Sequence, residues 1–241
     1  MSQLSQNEQK VLAAQTAVDT LVGEGKIFSG MKIGLGTGST ALPAVRRLAW
    51  HINSGRISGV RAVVTSFQTG NVCQELGIPV FSMNDRGIDG KLDLAIDGAD
   101  EVTPERFCIK GGGAALLREK IVEYNSSVFV VVADSTKAVP TIGTGFAVPV
   151  EIIGEARVPV VAALEALGAE CVLREGVRKC GPVITDCGNQ IVDCRWKEPV
   201  DVPAMEERIN RIVGVVENGL FSGNLPVVFI AHGDGTVERR G

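Results

Sequence analysis

The sequence predicts an α/β protein with a mainly parallel sheet and a smaller α+β domain inserted near the carboxyl end. Up to about residue 146, nearly continuous apolar segments alternate with helical periodicities, a pattern typical of parallel sheets covered by helices on both faces. Between residues 148 and 217 the order of predicted elements becomes β-α-β-β-α-β, which is the ferredoxin-like order. We therefore expect a larger domain over residues 1–146 and 222–241 and a smaller one over residues 147–221.

The elements of the larger domain follow from apolar spacing and from glycine and proline positions. Val11, Ala14, Val18 and Leu21 recur at helical spacing, and glycines follow them. Pro43 stands where the first turn of a helix tolerates a missing N–H. The predicted helices are 10–21, 41–50, 68–76 and 114–124. The predicted strands are 31–35, 61–65, 78–81, 92–96, 107–109, 128–133 and, after the smaller domain, 226–231.

The smaller domain is predicted in the same way. Its strands are expected over residues 148–153, 170–173, 191–194 and 213–217, and its helices over 158–167 and 202–212. A turn over residues 186–189, rich in Asp, Gly and Asn, fits a hairpin before the third strand.

Composition excludes several classes of protein. A chain of 241 residues with 45% hydrophobic and 22% charged residues can build one large or two modest cores. No apolar run approaches the ~20 residues of a membrane span, and the polar first ten residues lack a secretion signal. A net charge of −4 without a basic cluster argues against nucleic acid as a partner. We expect a cytoplasmic protein.

The six cysteines do not form a C-x-x-C pair, and the two histidines are far apart in sequence. Structural zinc sites usually contain closely spaced ligand pairs, so we expect no metal site and interpret the cysteines as free buried thiols of a reducing compartment.

Residues 110–120 form the most informative stretch. Lys110 precedes three consecutive glycines, Gly111, Gly112 and Gly113, and a helical pattern follows. Such a turn can present backbone N–H groups, and the start of the next helix favours an anion or a developing oxyanion.

Glu119 lies on that predicted helix. A helical wheel places Ala114, Leu117, Ile121 and Tyr124 in a buried stripe and Glu119 on the opposite side. From this stretch alone, Glu119 is either a solvated surface carboxylate or a catalytic group.

A second glycine segment, residues 34–40, resembles both the dinucleotide fingerprint and the P-loop and matches neither, because Ser39 replaces a glycine and no Gly-Lys-Ser/Thr ending is present. Thr37, Gly38, Ser39 and Thr40 could cradle one phosphate group at a helix start. The alternative is a tight turn in which Ser39 or Thr40 caps the helix.

Three carboxylates, Asp97, Asp100 and Glu101, follow the predicted strand 92–96. They could hold Mg²⁺, transfer protons, bind sugar hydroxyls or simply cap a turn; without a P-loop, hydroxyl binding and proton transfer are favoured over a metal. Lys137 follows another strand, and Lys110 a third. Because ligands bind at the carboxyl ends of strands in open α/β sheets, segments 36–40, 97–101, 110–113 and 134–137 are expected to converge on one crevice.

Three motifs in order, Gly-Leu-Gly-Thr-Gly-Ser-Thr (34–40), Asp-Gly-Ala-Asp-Glu (97–101) and Lys-Gly-Gly-Gly-Ala-Ala-Leu-Leu-Arg-Glu-Lys (110–120), resemble the A-type ribose-5-phosphate isomerase family. Residues 148–152 and 213–221 are also similar to that family. The resemblance implies a Rossmann-like domain with a small ferredoxin-like domain. It also implies interconversion of ribose 5-phosphate and ribulose 5-phosphate without a metal or organic cofactor, and a homodimer or homotetramer.

The resemblance also implies roles for individual residues. Glu119 would be the proton-transferring base, with Asp97, Asp100 and Lys110 as further catalytic groups. Sugar phosphate contacts would come from Thr37, Gly38, Ser39, Thr40, Asp97, Gly98, Ala99, Asp100, Lys110, Gly111, Gly112, Gly113 and Lys137. Lys10 aligns only loosely with a family lysine.

Other functions remain open at this stage. A coenzyme A transferase-like enzyme would use a glutamate as nucleophile and form a covalent thioester. A sugar-phosphate sensor would be expected to carry a DNA-binding segment, for which the chain has no spare length. A nicotinamide dehydrogenase would need the missing glycine and an acidic ribose anchor.

Overall fold

The computed structural model describes residues 3–143 and 145–241, which divide into two compact units. The first unit contains the chain up to Ala99, Arg118–Ala138 and Pro226–Gly241, and the second contains Asp100–Leu117 and Val139–Leu225. The domain limits expected from the sequence differ from this division, because they place residues 100–117 with the larger domain. Those limits stay a prediction.

The first unit is built on a six-stranded sheet. Its helices are α1 (Gln6–Gly23), α2 (Gly38–Asn53), α3 (Phe67–Glu75) and, continuing from the second unit, α4 (Leu116–Tyr124). The strands are β1 (Lys32–Leu35), β2 (Arg61–Val64), β3 (Leu92–Gly98), β6 (Ser126–Asp134), β12 (Val227–Ala231) and β13 (Val237–Arg240). Their spatial order is β13-β12-β6-β3-β1-β2, parallel except for the antiparallel edge strand β13.

Helices cover both faces of this sheet. Ile33 and Leu35 of β1 join one hydrophobic core with residues of α1, α2 and α3. Gly34 points to the other face, because successive strand residues alternate. There, a Cβ added at Gly34 would lie 2.3 Å from Cγ1 of Val122, a residue of α4. The parallel, two-faced sheet predicted from the apolar strands is confirmed.

The second unit contains the predicted β-α-β-β-α-β series. It consists of β7 (Val148–Ile152), α5 (Arg157–Ala166), β8 (Glu170–Leu173), β9 (Gln190–Arg195), α6 (Val202–Asn210) and β10 (Val215–Asn218). The four strands form an antiparallel sheet in the order β10-β7-β9-β8. Three two-residue strands, β4 (Glu101–Val102), β5 (Cys108–Ile109) and β11 (Leu220–Phe221), form a separate sheet.

Several sequence predictions are wrong in detail. The expected strand 78–81 is reduced to one bridge between Ala62 and Val80, since Pro79 has no N–H to donate to a ladder. The segment 107–109 belongs to the small three-stranded sheet, so the glycine turn at 110–113 does not follow a strand of the main sheet. Of the short strands, β5 lies within the predicted strand 107–109, whereas β4, β11 and β13 were not predicted, because such short elements carry too little periodicity to detect.

The cysteine prediction is only partly correct. Cys73, Cys108 and Cys194 are buried free thiols, whereas Cys171 is half-buried and Cys180 and Cys187 are exposed. Both exposed residues lie in the loop between β8 and β9, outside any core. Within residues 3–143 and 145–241, no three His, Cys, Asp or Glu side chains are grouped as metal ligands would be. None of the helices in the same ranges has the length and apolar character to cross a membrane.

Candidate active site

Three predicted segments follow neighbouring parallel strands of the main sheet. Residues 36–40 follow β1, the acidic segment begins at the end of β3, and residues 135–137 follow β6 as a 3₁₀ turn. Because β6, β3 and β1 are adjacent and parallel, their carboxyl ends share one edge of the sheet. Within the first unit the structure thus brings together residues 36–40, residues 97–99 of the acidic segment and residues 135–137, while Asp100, Glu101 and the glycine turn lie in the second unit.

Asp97 occupies the end of β3 and is 1% exposed. Its Oδ1 accepts hydrogen bonds from the backbone N–H groups of Thr37 at 3.0 Å and Gly98 at 2.7 Å. Gly36 makes room for this carboxylate, since an added Cβ would lie 1.9 Å from Cγ of Asp97. The buried carboxylate therefore fixes the loop that precedes α2.

Helix α2 begins three residues earlier than the sequence suggested. Its N-cap is Thr37, so Gly38, Ser39 and Thr40 form the first turn, and the idea that Ser39 or Thr40 is the cap is wrong. The first N–H groups of a helix have no partner within the helix, and the first turn of α2 contains no acidic residue. This 16-residue helix therefore offers an anion-binding start.

The Thr37 hydroxyl faces a small hydroxyl cluster. Its Oγ1 lies 2.6 Å from Oγ1 of Thr65 and 2.7 Å from Oγ of Ser66. Thr69 closes the group by donating its hydroxyl to the carbonyl of Gly36 at 2.7 Å. These contacts use the Thr37 side chain to hold the loop before α2. The sequence did not predict the cluster, because its hydroxyl residues come from separate segments of the chain.

Lys10 on α1 reaches the start of α2. Its Nζ donates to Oγ of Ser39 at 3.1 Å. A cation is therefore present beside the first turn of α2, where sequence spacing alone could not place it because 29 residues separate the two side chains.

The end of β6 is held by hydrogen bonds that involve α1. Asp134 is buried, and its Oδ1 accepts from Nε2 of Gln6 at 3.3 Å and from the N–H of Thr136 at 3.1 Å. Gln9 accepts from the N–H and the hydroxyl of Ser135 at 3.2 and 2.8 Å. Lys137 closes this 3₁₀ turn and is half-buried.

Glu119 is only 5% exposed, so the interpretation as a solvated surface carboxylate is wrong. The predicted stripe is also wrong, because Ile121 is 43% exposed. Glu119 lies one turn before Val122, which packs against β1 at Gly34, and residues three apart share a helix face. Ala114 has a positive φ of 59° and α4 begins at Leu116, so Ala114 lies outside the helix in which the wheel placed it.

In the second unit, the other two carboxylates of the acidic segment hold different loops. Asp100 accepts the N–H of Gly112 at 2.7 Å through Oδ2. Glu101 accepts the N–H of Phe146 at 2.8 Å through Oε1. Each carboxylate thus anchors a separate backbone segment, an arrangement unlike a shared metal site. Ala99, between Gly98 and Asp100, is half-buried and is the last residue of the first stretch of chain in the first unit.

The glycine turn itself is tightly packed. Gly111 has a φ of +100°, and an added Cβ would lie 2.8 Å from Leu116. At Gly112 an added Cβ would lie 2.6 Å from Oδ1 of Asp100, whereas Gly113 is exposed and has open space. Glycine is therefore required at the first two positions for conformational and steric reasons.

Lys110 is 2% exposed, so it is not a surface lysine. Its N–H donates to the carbonyl of Gly219 at 3.0 Å, and its ammonium lies 5.6 Å from the ring centroid of Phe221. A further cation, Arg174, contacts the carbonyls of Gly111 and Gly112. No motif in the sequence pointed to Arg174, which is 62 residues from Gly112.

Comparison with known proteins identifies the family. Residues 61–235 match the model of ribose 5-phosphate isomerase A, also called phosphoriboisomerase A. A ribose-5-phosphate isomerase A from Treponema denticola is 58% identical over 95% of this chain and 97% of the relative.

Solved structures agree with the sequence match. A ribose 5-phosphate isomerase A from Methanocaldococcus jannaschii has 38% identity and a TM-score of 0.87, covering 98% of this chain and 100% of that one. A D-ribose-5-phosphate isomerase solved in complex with phospho-erythronic acid has 38% identity and a TM-score of 0.91, covering 98% and 99%. The chain therefore belongs to the ribose 5-phosphate isomerase A family.

Proposed function

We propose that this chain is an aldose–ketose isomerase that interconverts D-ribose 5-phosphate and D-ribulose 5-phosphate through an enediolate. The observation that carries the proposal is the buried carboxylate of Glu119, placed at the start of a helix six residues after a glycine turn. Family membership supports the same reaction. The complex of a relative with phospho-erythronic acid supports a phosphorylated sugar as the ligand class.

The phosphate group would bind at the start of α2. Ser39 and Thr40 supply hydroxyls and first-turn N–H groups. A Cβ added at Gly38 would meet nothing within 4 Å, and the Gly38 N–H is donated to Oε1 of Gln68 at 3.2 Å. Lys10 adds a positive charge beside Ser39, which an acidic chain needs in order to attract a dianion. Binding the remote phosphate would position the reacting carbons.

Proton transfer would be carried out by Glu119. Its carboxylate takes the C2 proton of the open-chain aldose while the C2 electron pair moves toward C1 and the carbonyl oxygen becomes an enediolate oxygen. The protonated carboxyl then returns the proton to C1 while the C2 hydroxyl proton passes to the C1 oxygen, so that C2 becomes the ketone and C1 carries the hydroxyl. One carboxylate on one face can perform both transfers.

The developing negative charge would be stabilised by Lys110 and by the N–H groups that the turn of Gly111, Gly112 and Gly113 leaves available, since the Gly112 N–H is donated to Asp100. A buried ammonium and backbone donors act strongly on an oxyanion because they are held in place before the reaction begins. The reaction needs no external electron acceptor, since the hydrogen returns to the same molecule.

Asp97 and Asp100 would bind sugar hydroxyls and exchange their protons during ring opening. Gly98 and Ala99 connect these two carboxylates and would line the substrate with backbone groups. Lys137, which follows the neighbouring strand β6, would supply a further positive charge to the substrate.

We also propose a homodimer or homotetramer in the cytoplasm that binds neither nucleic acid nor membranes. The family resemblance supports the assembly, and the acidic composition supports the absence of nucleic acid binding. Light scattering of the purified chain would measure the assembly, and a monomeric mass would contradict it.

The test of the reaction is a ketose assay with ribose 5-phosphate, run with and without excess EDTA. We expect full turnover in EDTA, exchange of the C2 hydrogen with solvent deuterium, and very slow turnover of unphosphorylated ribose. Equal rates with ribose and its phosphate would contradict the phosphate site. A loss of activity in EDTA that Mg²⁺ or Zn²⁺ restores would contradict the metal-free mechanism.

A further inference from the structure

Arg174 directly follows β8 and connects two parts of the second unit. Its Nη1 donates to the carbonyl oxygen of Gly111 at 2.9 Å and to that of Gly112 at 3.1 Å. Its Nε donates to Oδ2 of Asp193 at 2.8 Å, and Nη2 contacts Oδ1 of the same carboxylate. The guanidinium thus joins the ferredoxin-like sheet to the glycine turn.

The carbonyls of Gly111 and Gly112 belong to the same peptide groups as the N–H groups of Gly112 and Gly113, so the direction of each carbonyl sets the direction of one N–H. Each peptide group is planar, and in the trans form its C=O and N–H point in opposite directions. The Gly111 carbonyl and the Gly112 N–H share one peptide group, which Arg174 holds on one side and Asp100 on the other. The Gly112 carbonyl shares its group with the Gly113 N–H, so Arg174 directs that N–H away from itself.

The turn needs such support because its backbone is unusual. Gly111 has a φ of +100°, and Ala114, whose N–H donates to the Gly111 carbonyl at 2.9 Å, has a φ of +59°. A non-glycine residue in this region is unfavourable and persists only where its surroundings fix it. A glycine-rich turn also has many alternative conformations to lose.

Direct substrate binding is a poorer role for Arg174. Four of its five N–H groups are already engaged, two by the turn and two by Asp193. The side chain is 16% exposed, and that of Asp193 is 24% exposed. An arginine that is largely buried, with its donors on a carboxylate and on two backbone carbonyls, is suited to fix the conformation of the glycine turn.

We propose that Arg174, oriented by Asp193, is a positioning residue that fixes the peptide groups of the glycine turn so that the Gly113 N–H faces the developing oxyanion. The inference rests on the proposed function and deepens it. It assigns to the small α+β unit a part in the reaction, and it does not make Arg174 a catalytic residue.

Kinetics of matched variants test the proposal. Arg174→Met keeps the length and removes every donor, and we expect kcat to fall about 10- to 100-fold with KM within about threefold, because a small misplacement of stabilising groups acts on the transition state. Arg174→Lys should have a kcat between those of Arg174→Met and the parent. Its ammonium can donate to a turn carbonyl but cannot make the two parallel hydrogen bonds that the guanidinium makes to Asp193.

Arg195→Met is the control. Arg195 lines the same groove of about 390 Å³ as Arg174, but its Nη1 donates to the carbonyl of Gly145 at 2.7 Å and not to the turn. We expect kcat and KM of this variant within about threefold of the parent. Equal losses in both arginine variants would contradict the proposal.

Amide hydrogen exchange of residues 110–117 provides a readout that is independent of activity. Arg174→Met should speed exchange in this segment at least tenfold, and Arg195→Met should leave it unchanged. A kcat of Arg174→Met within threefold of the parent, or unchanged exchange, overturns the proposal. If the parent chain does not isomerise ribose 5-phosphate, the proposed function fails, while exchange still decides whether Arg174 holds the turn.

Discussion

At the scale of single residues, Glu119 is notable because the fold removes a glutamate almost completely from water. Glutamate is rarely buried to 5% exposure unless its carboxylate is paired or functional. Val122 and Glu123, three and four residues later, are buried on the same side of α4. The side chain is therefore directed by the helix toward the sheet, which distinguishes it from an ordinary surface carboxylate.

Replacing Glu119 by glutamine tests its role as the base. Gln keeps the size and hydrogen bonding but cannot accept the C2 proton, so we expect a kcat loss of about 10²–10⁴-fold or more with KM nearly unchanged. Deuterium exchange at C2 should disappear in parallel. The control is Glu123→Gln, a buried glutamate on the same helix, which should retain activity within about threefold. Glu119→Gln activity within tenfold of the parent would assign the base to Asp97 or Asp100.

The hydroxyls at the start of α2 provide the second test. If Ser39 and Thr40 bind the phosphate as proposed, Ser39→Ala and Thr40→Ala each remove a hydrogen bond to a charged group, worth about 1.5–3 kcal/mol, and we expect KM to rise about tenfold or more. Ser54→Ala alters the hydroxyl at the opposite end of the same helix, where Oγ donates to the carbonyl of His51 at 3.1 Å, and should leave KM unchanged. A similar KM in all three variants would exclude this helix start as the phosphate site.

At the scale of elements, the position of α4 depends on a missing side chain in β1. The absence of a Cβ at Gly34 allows Val122 to approach the strand, and the alternation of β1 directs Ile33 and Leu35 into the opposite core. The helix that carries Glu119 is thus fixed by a glycine in a different element.

Filling that space should disturb both stability and activity. Gly34→Ala places a Cβ 2.3 Å from Val122 Cγ1 and 2.9 Å from Ala95 Cβ, so we expect the free energy of unfolding to fall by about 1–3 kcal/mol and kcat to fall with it. Adding Val122→Ala should recover part of both losses. The measurement is urea unfolding and kinetics of the two single variants and the double variant. If the loss of unfolding free energy in the double variant equals the sum of the losses in the two single variants, the proposed contact is contradicted.

At the scale of the whole molecule, stability depends on pH through buried carboxyls. Glu151 is buried in the second unit, where it accepts hydrogen bonds from Thr185 Oγ1 and Asn189 Nδ2, both at 2.8 Å. Burial raises the pKa of its carboxyl above the ordinary value of 4.5. The bonds from Asn189 and Thr185 oppose the rise without cancelling it.

The sign of the pH effect follows from this raised pKa. The folded chain holds the Glu151 proton more tightly than the unfolded chain, so the contribution to the free energy of unfolding is complete below pH 4.5 and is lost as the pH rises through the folded-state pKa. Relative to Glu151→Gln, the parent should therefore lose stability above about pH 4.5. Urea unfolding from pH 4 to 8 measures this, with exposed Glu198→Gln as control. Parallel pH profiles for the parent and Glu151→Gln would contradict it.

The sequence by itself determined the α/β class, the β-α-β-β-α-β order of the small unit and the segments that are proposed to form the site. Each of these features depends on residues that are close together in the sequence, as in the apolar run of β6 or the glycines at 111–113, so a local pattern is enough to predict it. Family membership, indicated by three motifs, was confirmed by comparison.

Only the tertiary structure decided which side chains are buried and what they contact. The helix face that carries Glu119 is buried because Val122 on the same face packs against Gly34, a residue of a different element. The contacts of Lys10 with Ser39 and of Arg174 with Gly112 join residues 29 and 62 positions apart. No local pattern encodes such pairs, because they form only when separate elements pack together.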